Sequence, residues 1–488
     1  MFGRVKERTV AYTEDTAAPE VVSVKRKLRT WEITAISIGF MGPVMAMSLN
    51  GIGVAGIVGK AVPFTFAIAF LGTMLVAYSF IRLTGLITHA GSVYALAGST
   101  IGPRAGFFGG FALLGTYIFF AACIVGACAV FFGAFLGEIG LSLDGKLWML
   151  IPLLILVLGL ALNLRESKVT ARTLLIIGFI GIAAMLVLAA VIFVTVGTGK
   201  APVSTGIDFT ALSPAGNSFS VILTASVFAF LSWAGFESGS SLGEEAAEPK
   251  RVVPRSLFLA VALGGFIYVI VMFAQTIGFG TDEAGVAAFS ASESTLTQLS
   301  TTYIGKWFAI GISAIAFCVA LAAFLSSTAA ASRLLFALSR DGFGPKRLAA
   351  VNPKTGVPAN AVWFAVVLAV VMALALGLFG ATSVDVYYWY ATIGTLCMVI
   401  AYGMTSVGVI RYVLKPGSKI AKYELVLPLL ALAYLVLVYI NQVIGQEAPY
   451  TYFPYLAGAW CLVGLVIALA KPDLAKKIGS DITAHDPL

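Results

Sequence analysis

The sequence predicts an all-α membrane protein with twelve transmembrane helices, the first and sixth of them broken. Composition carries the first part. Of 488 residues, 59% are hydrophobic and 11% charged, with a mean hydropathy of +0.97, whereas an average soluble domain has about 45–50% apolar and about 25% charged residues. A spanning helix needs about 20 predominantly apolar residues. Such runs fall near 31–57, 61–87, 103–137, 147–163, 170–197, 219–242, 256–281, 305–336, 358–380, 386–411, 424–441 and 451–470. The basic residues give the sidedness. With both termini cytoplasmic, 27 of the 31 Lys and Arg fall in the tails and cytoplasmic connections, and only Lys60, Lys146, Lys200 and Lys306 lie outside. This positive-inside bias accounts for the formal charge of +8 without any nucleic-acid partner.

The chain divides accordingly into a cytoplasmic tail (1–30), a ten-helix core (31–412), two peripheral helices (413–470) and a second cytoplasmic tail (471–488). The first apolar run is longer than the roughly 7–15 residues of a signal sequence and is expected to remain as the first span. Cys123, Cys128, Cys318, Cys397 and Cys461 all sit in apolar runs, where a free thiol behaves as a small hydrophobe. No disulfide framework, metal site or cofactor is expected. His89 and His485 are the only histidines, so no clustered nucleophile and base is available and an enzyme is not expected.

Two stretches stand out. The first span contains SIGFMGPVMA, in which Gly39, Gly42 and Pro43 interrupt the helical ladder. The sixth runs FAFLSWAGFESGSSLGEEAAEPKRVVPR from Phe228 to Arg255, with Gly235 and Gly239 flanking Glu237. Irregular backbone survives inside a membrane only where protein or a water-filled cavity satisfies the freed groups. Breaks at matching positions of two five-span halves, 31–197 and 219–412, mark a midplane binding site between inverted repeats. Half-helix N-termini there attract an anion and unwound carbonyls a cation, so a zwitterion fits. Glu237 is a candidate proton carrier or pH-sensing gate, because an ionisable residue at that depth is a functional-site hypothesis by default. In the third span Tyr117 is a further candidate for contact with the substrate.

Five blocks then resemble one family, the amino acid-polyamine-organocation (APC) superfamily. They are GEEAAEPKRVVPR after span six, AGSVYALAG with GPRAGFFGG between spans two and three, NLRESK at 163–168, ASRLLFALSRDGFGP at 331–345 and NPKTGVP at 352–358. The resemblance covers about residues 25–470 and implies a LeuT-like 5+5 inverted repeat, with helices 11 and 12 peripheral. It implies that the substrate carboxylate meets N–H groups of Gly39, Phe40, Met41, Gly42 and Val44, and that the amine meets carbonyls of Phe230, Leu231 and Ser232. An aromatic, Phe230 or Trp233, would close over it. The sequence departs from the family at Gly42-Pro43-Val44, where a second glycine is usual, and at Leu231, where an aromatic gate is usual.

For coupling, either H or Na is open. Span five has Gly181 at about the position where many proton-coupled or exchanging members of that family carry a lysine, whereas Ser326, Ser327 and Thr328 in span eight offer hydroxyl oxygens for a sodium site between helices 1 and 8. Glu244, Glu245 and Glu248 are expected to form an inner gate with Arg333, Arg340, Lys346 and Lys354. The expected function is a secondary transporter importing or exchanging a small neutral amino acid across the cytoplasmic membrane, a monomer or weak homodimer in the bilayer. A small amine or polyamine is the alternative substrate, and a transport-dead sensor the alternative role.

Overall fold

A computed structural model describes residues 28–87, 92–143, 145–164, 168–203, 206–340, 345–352 and 357–470. The tails up to residue 27 and from residue 471, His89, His485 and Lys354 lie outside these, as do the side chains at 168–174 and of Glu244. Helix follows helix: α1 (Thr30–Met41), α2 (Pro43–Val58), α3 (Val62–Thr84), α4 (Ser92–Thr100), α5 (Pro103–Glu138), α6 (Leu150–Asn163), α7 (Lys168–Gly197) and α8 (Phe219–Phe230). After α8 come α9 (Pro249–Phe279), α10 (Glu283–Ser290), α11 (Thr295–Tyr303), α12 (Lys306–Arg340), α13 (Ala359–Leu378), α14 (Ser383–Leu414), α15 (Val426–Val443) and α16 (Phe453–Ala470). Among the described residues the only β-type pairing is an isolated bridge between Leu28 and Ala246.

Among the described residues, ten helices are long and apolar enough to cross a membrane. An eleventh arises if Phe219–Trp233 and Phe236–Gly243, which meet at a 41° bend, count as one span. The difference from the expected twelve lies in α2 and α3. These run on through a 3-10 turn at Gly59–Ala61 as one helical stretch, Pro43–Thr84.

The centre of the bundle is α5 against α14, the two most enclosed helices. Without a hydrophobic drive between helices in lipid, close approach depends on small residues. A Cβ at Gly126 of α5 would lie 2.7 Å from the Ser383 carbonyl and 2.8 Å from the Tyr387 amide, and one at Gly394 of α14 would lie 2.8 Å from the Phe120 ring. Backbone therefore meets backbone at one end of the pair, and an aromatic ring fills the notch farther along. Elsewhere Gly181 of α7 makes room for Val44 and Ile315, whose methyls would lie 2.8 and 2.9 Å from a Cβ there. A long cationic side chain at position 181 has no space, in keeping with its absence from the sequence.

The helices α15 and α16 pack on this body by aromatic contacts. Trp460 stacks on Phe111 at 4.8 Å and donates its indole N–H to the Phe111 carbonyl at 2.9 Å. Tyr434 lies in the notch over Gly72 of α3 and meets the Phe230 ring edge-on at 5.7 Å.

At the opposite end from Leu28, the segment after α7 is clipped to the α2–α3 turn. Asp208 accepts from Lys60 Nζ at 2.9 Å and from the Thr210 amide at 2.9 Å, and Asn217 Nδ2 donates to the Val58 carbonyl at 2.9 Å. The Thr210 hydroxyl and then the Lys60 ammonium hold the Asp208 carboxyl well below the usual carboxylate range. A depressed folded-state value adds stability above the unfolded value of about 3.9, and that contribution is lost as pH falls through the folded value. Asp208→Asn is therefore expected to lower the melting temperature of the purified protein at pH 7. The gap from wild type should shrink as melts are repeated below about pH 4.

Candidate functional site

The first break is one residue wide. The helix α1 ends at Met41, Gly42 turns into the left-handed region (φ 58°, ψ 61°), and Pro43 opens α2. Glycine tolerates that φ and proline suits a first helical position, where its missing N–H would have no acceptor anyway. Gly39, Phe40 and Met41 are the last turn of α1, so their N–H groups belong to its hydrogen-bond ladder, and the Gly42 N–H is donated to the Gly39 carbonyl at 3.3 Å. This corrects the expectation that these four N–H groups face a ligand. The N–H groups that precede the first intrahelical bond of α2, from Ala46 to Gly42 at 2.9 Å, are those of Val44 and Met45.

The second break is wider and lies later than expected. Phe230 still ends α8, Leu231–Trp233 form a 3-10 turn closed by Ala234 N–H on the Leu231 carbonyl at 3.0 Å, and Gly235 takes φ 94°. A 3-10 run over Phe236–Glu245 follows. The opening is thus at Ala234–Gly235 rather than at Phe230–Ser232. It is covered by Phe40: a Cβ on Gly235 would run into that ring. The two breaks therefore meet at one contact, which also reaches Tyr117, whose ring is 6.0 Å from Phe40.

The expected aromatic lids are engaged elsewhere. Trp233 is 1% exposed, stacked on Phe70 at 6.2 Å, edge-on to Tyr268 at 5.1 Å, and donates its N–H to the Val261 carbonyl at 3.3 Å. It anchors the turn to α3 and α9. Phe230 packs on α15, and Leu231 is half-buried. Phe40, expected only as part of the N–H cradle, is the aromatic at the crossing.

Polar networks flank the breaks on both sides. On one, Asn50 of α2 donates to Ser232 Oγ at 2.8 Å and accepts from the Tyr387 hydroxyl at 2.7 Å. Sequence reasoning missed Asn50 and Tyr387, although a lone Asn in MAMSLNGIG was the visible signal. On the other, Glu237 accepts from the hydroxyls of Tyr117, at 3.2 Å, and Tyr402. Glu237 is fully enclosed, and among the described residues no ion pair reaches it. Phenols can donate or accept and a protonated carboxyl can donate, so this trio keeps its hydrogen bonds in either protonation state.

The hydroxyls of α12 are only partly available. Ala323 packs against Gly42, so α12 does pass the first break. Ser327 donates to the Tyr117 carbonyl at 2.9 Å, Thr328 donates to its own helix at Phe324 and accepts from Asn163, and Ser326 is half-buried. Two of the three expected sodium ligands thus hold α12 to α5 and α6.

At the ends of the broken segments, Leu28 N–H bonds the Glu245 carbonyl at 3.1 Å and the Ala247 N–H bonds the Leu28 carbonyl at 2.9 Å. Ser256 Oγ adds a bond to the Thr30 carbonyl at 2.8 Å. Among the expected gate charges, Glu248 pairs with its neighbour Arg251 at 3.8 Å, and the Arg340 guanidinium lies over the Phe336 ring at 5.8 Å.

A profile of the amino acid permease family matches residues 28–467. The chain belongs to that family. Relatives agree with this placement. The low-affinity putrescine importer PlaP of Escherichia coli K12 is 26% identical over 69% of this permease and 72% of its own length. The branched-chain amino acid permease BcaP of Lactococcus lactis subsp. cremoris is 24% identical over 92% and 95%. A methylthioribose transporter of Bacillus subtilis is 24% identical over 80% and 81%. The permease is thus a multi-pass membrane protein whose relatives are transporters of small organic molecules.

Three substitutions probe this site. Glu237→Gln should lower transport at least about tenfold, a loss of about 1.4 kcal/mol, while protein yield stays near wild type; equal loss of both would make the residue structural. Gly235→Ala should destabilise by more than the roughly 1–2 kcal/mol of a left-handed non-glycine residue. Adding Phe40→Ala should restore only the part due to the ring, as read from melting temperatures.

Proposed function

We propose that the permease is a secondary active transporter that carries a small neutral amino acid across the cytoplasmic membrane by alternating access. The observation that carries this reading is the meeting of two helix breaks at Phe40 and Gly235. It brings the N-terminus of α2, with Val44 and Met45, beside an unwound sixth span. A positive helix end and a set of unwound carbonyls complement a carboxylate and an ammonium. Neutral substrates are favoured because Glu237 is the only fully buried charged side chain among the described residues. A dication needs carboxylate partners to offset its desolvation. A monoamine or polyamine is the second reading, favoured by Glu237 itself and by the putrescine importer among the relatives.

The arrangement adopted here is twelve spans as a LeuT-like 5+5 inverted repeat with both termini cytoplasmic. The 42-residue run Pro43–Thr84 is about 63 Å long at 1.5 Å per residue, twice the roughly 30 Å of hydrocarbon. Its turn at Gly59–Ala61 supports two crossings, with α1 and α2 together forming the first broken span. Coupling is assigned to the proton, carried by Glu237 between Tyr117 and Tyr402. Support comes from the engagement of Ser327 and Thr328 within the bundle. The transporter acts as a monomer or weak homodimer.

In proteoliposomes, substrate should accumulate against its gradient. Replacing sodium by choline at fixed pH should leave uptake unchanged, and a protonophore should abolish it. Sodium-dependent uptake would overturn the coupling assignment, and mere equilibration would point to a channel. A thermal-shift screen should show a neutral amino acid stabilising the protein by about 2.7 kcal/mol at 100 times its Kd, with putrescine weaker.

A further inference from the structure

The segment that joins α14 to α15 is a fixed shelf rather than a slack connection. Gly417 turns it at φ 82°, which glycine allows. The Ile420 N–H is donated to Ser418 Oγ at 3.1 Å, and the Ile420 side chain is buried. Its far end is tied to α3, where Glu424 accepts from Arg82 Nη2 at 2.8 Å and from the Tyr78 hydroxyl.

This shelf presents uncompensated positive charge. Arg411, Lys415, Lys419 and Lys422 are exposed, and none of them makes an ion pair among the described residues. Glu424 is the only acid between Asp385 and Glu447, and Arg82 already holds it. Among the described residues the buried Arg82 Nε has no partner. Beside the cations, exposed apolar groups mark where the helices leave the membrane: Leu414 is 65% exposed at the end of α14, Val426 57% at the start of α15, and Tyr423 80% between them. Cations above, an aromatic at the boundary and aliphatic groups below match the layers of a phospholipid, with its phosphate, glycerol and acyl chains in that order.

We propose that this shelf binds an anionic phospholipid, its headgroup held by Lys415, Lys419 and Lys422 and its chains lying against Leu414 and Val426. A sidedness signal accounts for the cations alone. It needs neither a shelf pinned to α3 nor the sequestration of the one local carboxylate.

Purified full-length protein would be titrated with phosphatidylglycerol, phosphatidylcholine and inorganic phosphate, with bound lipid read by native mass spectrometry and stability by thermal melts. Phosphatidylglycerol should bind and stabilise, and phosphatidylcholine and phosphate should not. Lys415→Gln, Lys419→Gln and Lys422→Gln should each weaken the phosphatidylglycerol effect about fivefold. A control pair, Lys346→Gln with Arg347→Gln, should leave it unchanged. Equal stabilisation of the wild type by both lipids, stabilisation by phosphate alone, or equal loss in the control pair would overturn the proposal. The lipid comparison on wild-type protein stands even where a lysine variant fails to fold.

Discussion

A chain that unwinds inside a membrane must find cover for the backbone it exposes, and in this permease one aromatic ring supplies it at the critical point. Phe40, from the last turn of α1, sits on Gly235 in the unwound part of the sixth span. Because lipid offers no hydrogen bonds, every neighbouring element has a part in keeping that opening enclosed. Trp233 ties the turn to α3 and α9, Asn50 ties it to α14, and Glu237 ties the 3-10 run that follows to α5 and α14. The glycine notches at Gly126 and Gly394 bring α5 and α14 together, and Tyr117 and Tyr402 of the same pair share the Glu237 carboxyl.

Much of this was legible in the sequence. The helical membrane class followed from composition, and the breaks followed from Gly42-Pro43 and Gly235, both glycines taking a positive φ that most residue types resist. Glu237 stood out as an acid without a neighbouring base. What the sequence could not supply was direction. Trp233 and Phe230 read as lids because they flank the break in the chain, but Trp233, carried by the 3-10 turn, packs on α3 and α9, and Phe230, still in α8, packs on α15. Phe40 read as a donor of its N–H, whereas its ring is what meets the second break, because the first break begins two residues later, at Gly42. Ser327 and Thr328 read as ion ligands from their depth alone, and their hydrogen bonds depend on partners 210 and 165 positions away. The span count differs because α2 and α3 continue through a tight turn without losing helical geometry.

The relatives carry amino acids, putrescine and methylthioribose by name, cargoes that share little beyond size. A scaffold can serve such different cargoes when its backbone, rather than a dedicated set of charged side chains, provides the common recognition. Around the crossing this chain places Phe40 on Gly235, Val44 and Met45 at the start of α2, and one carboxyl bonded by two phenols.

Helix α14 carries Tyr387 at one network and Tyr402 at the other. Fifteen residues of α-helix separate them by about 22 Å, and the helix between has no break. It behaves as a gauge rod with a stop at each end. A slide of half a turn along its own axis would carry both hydroxyls with it, so the Asn50 and Glu237 networks are joined mechanically while α14 stays straight.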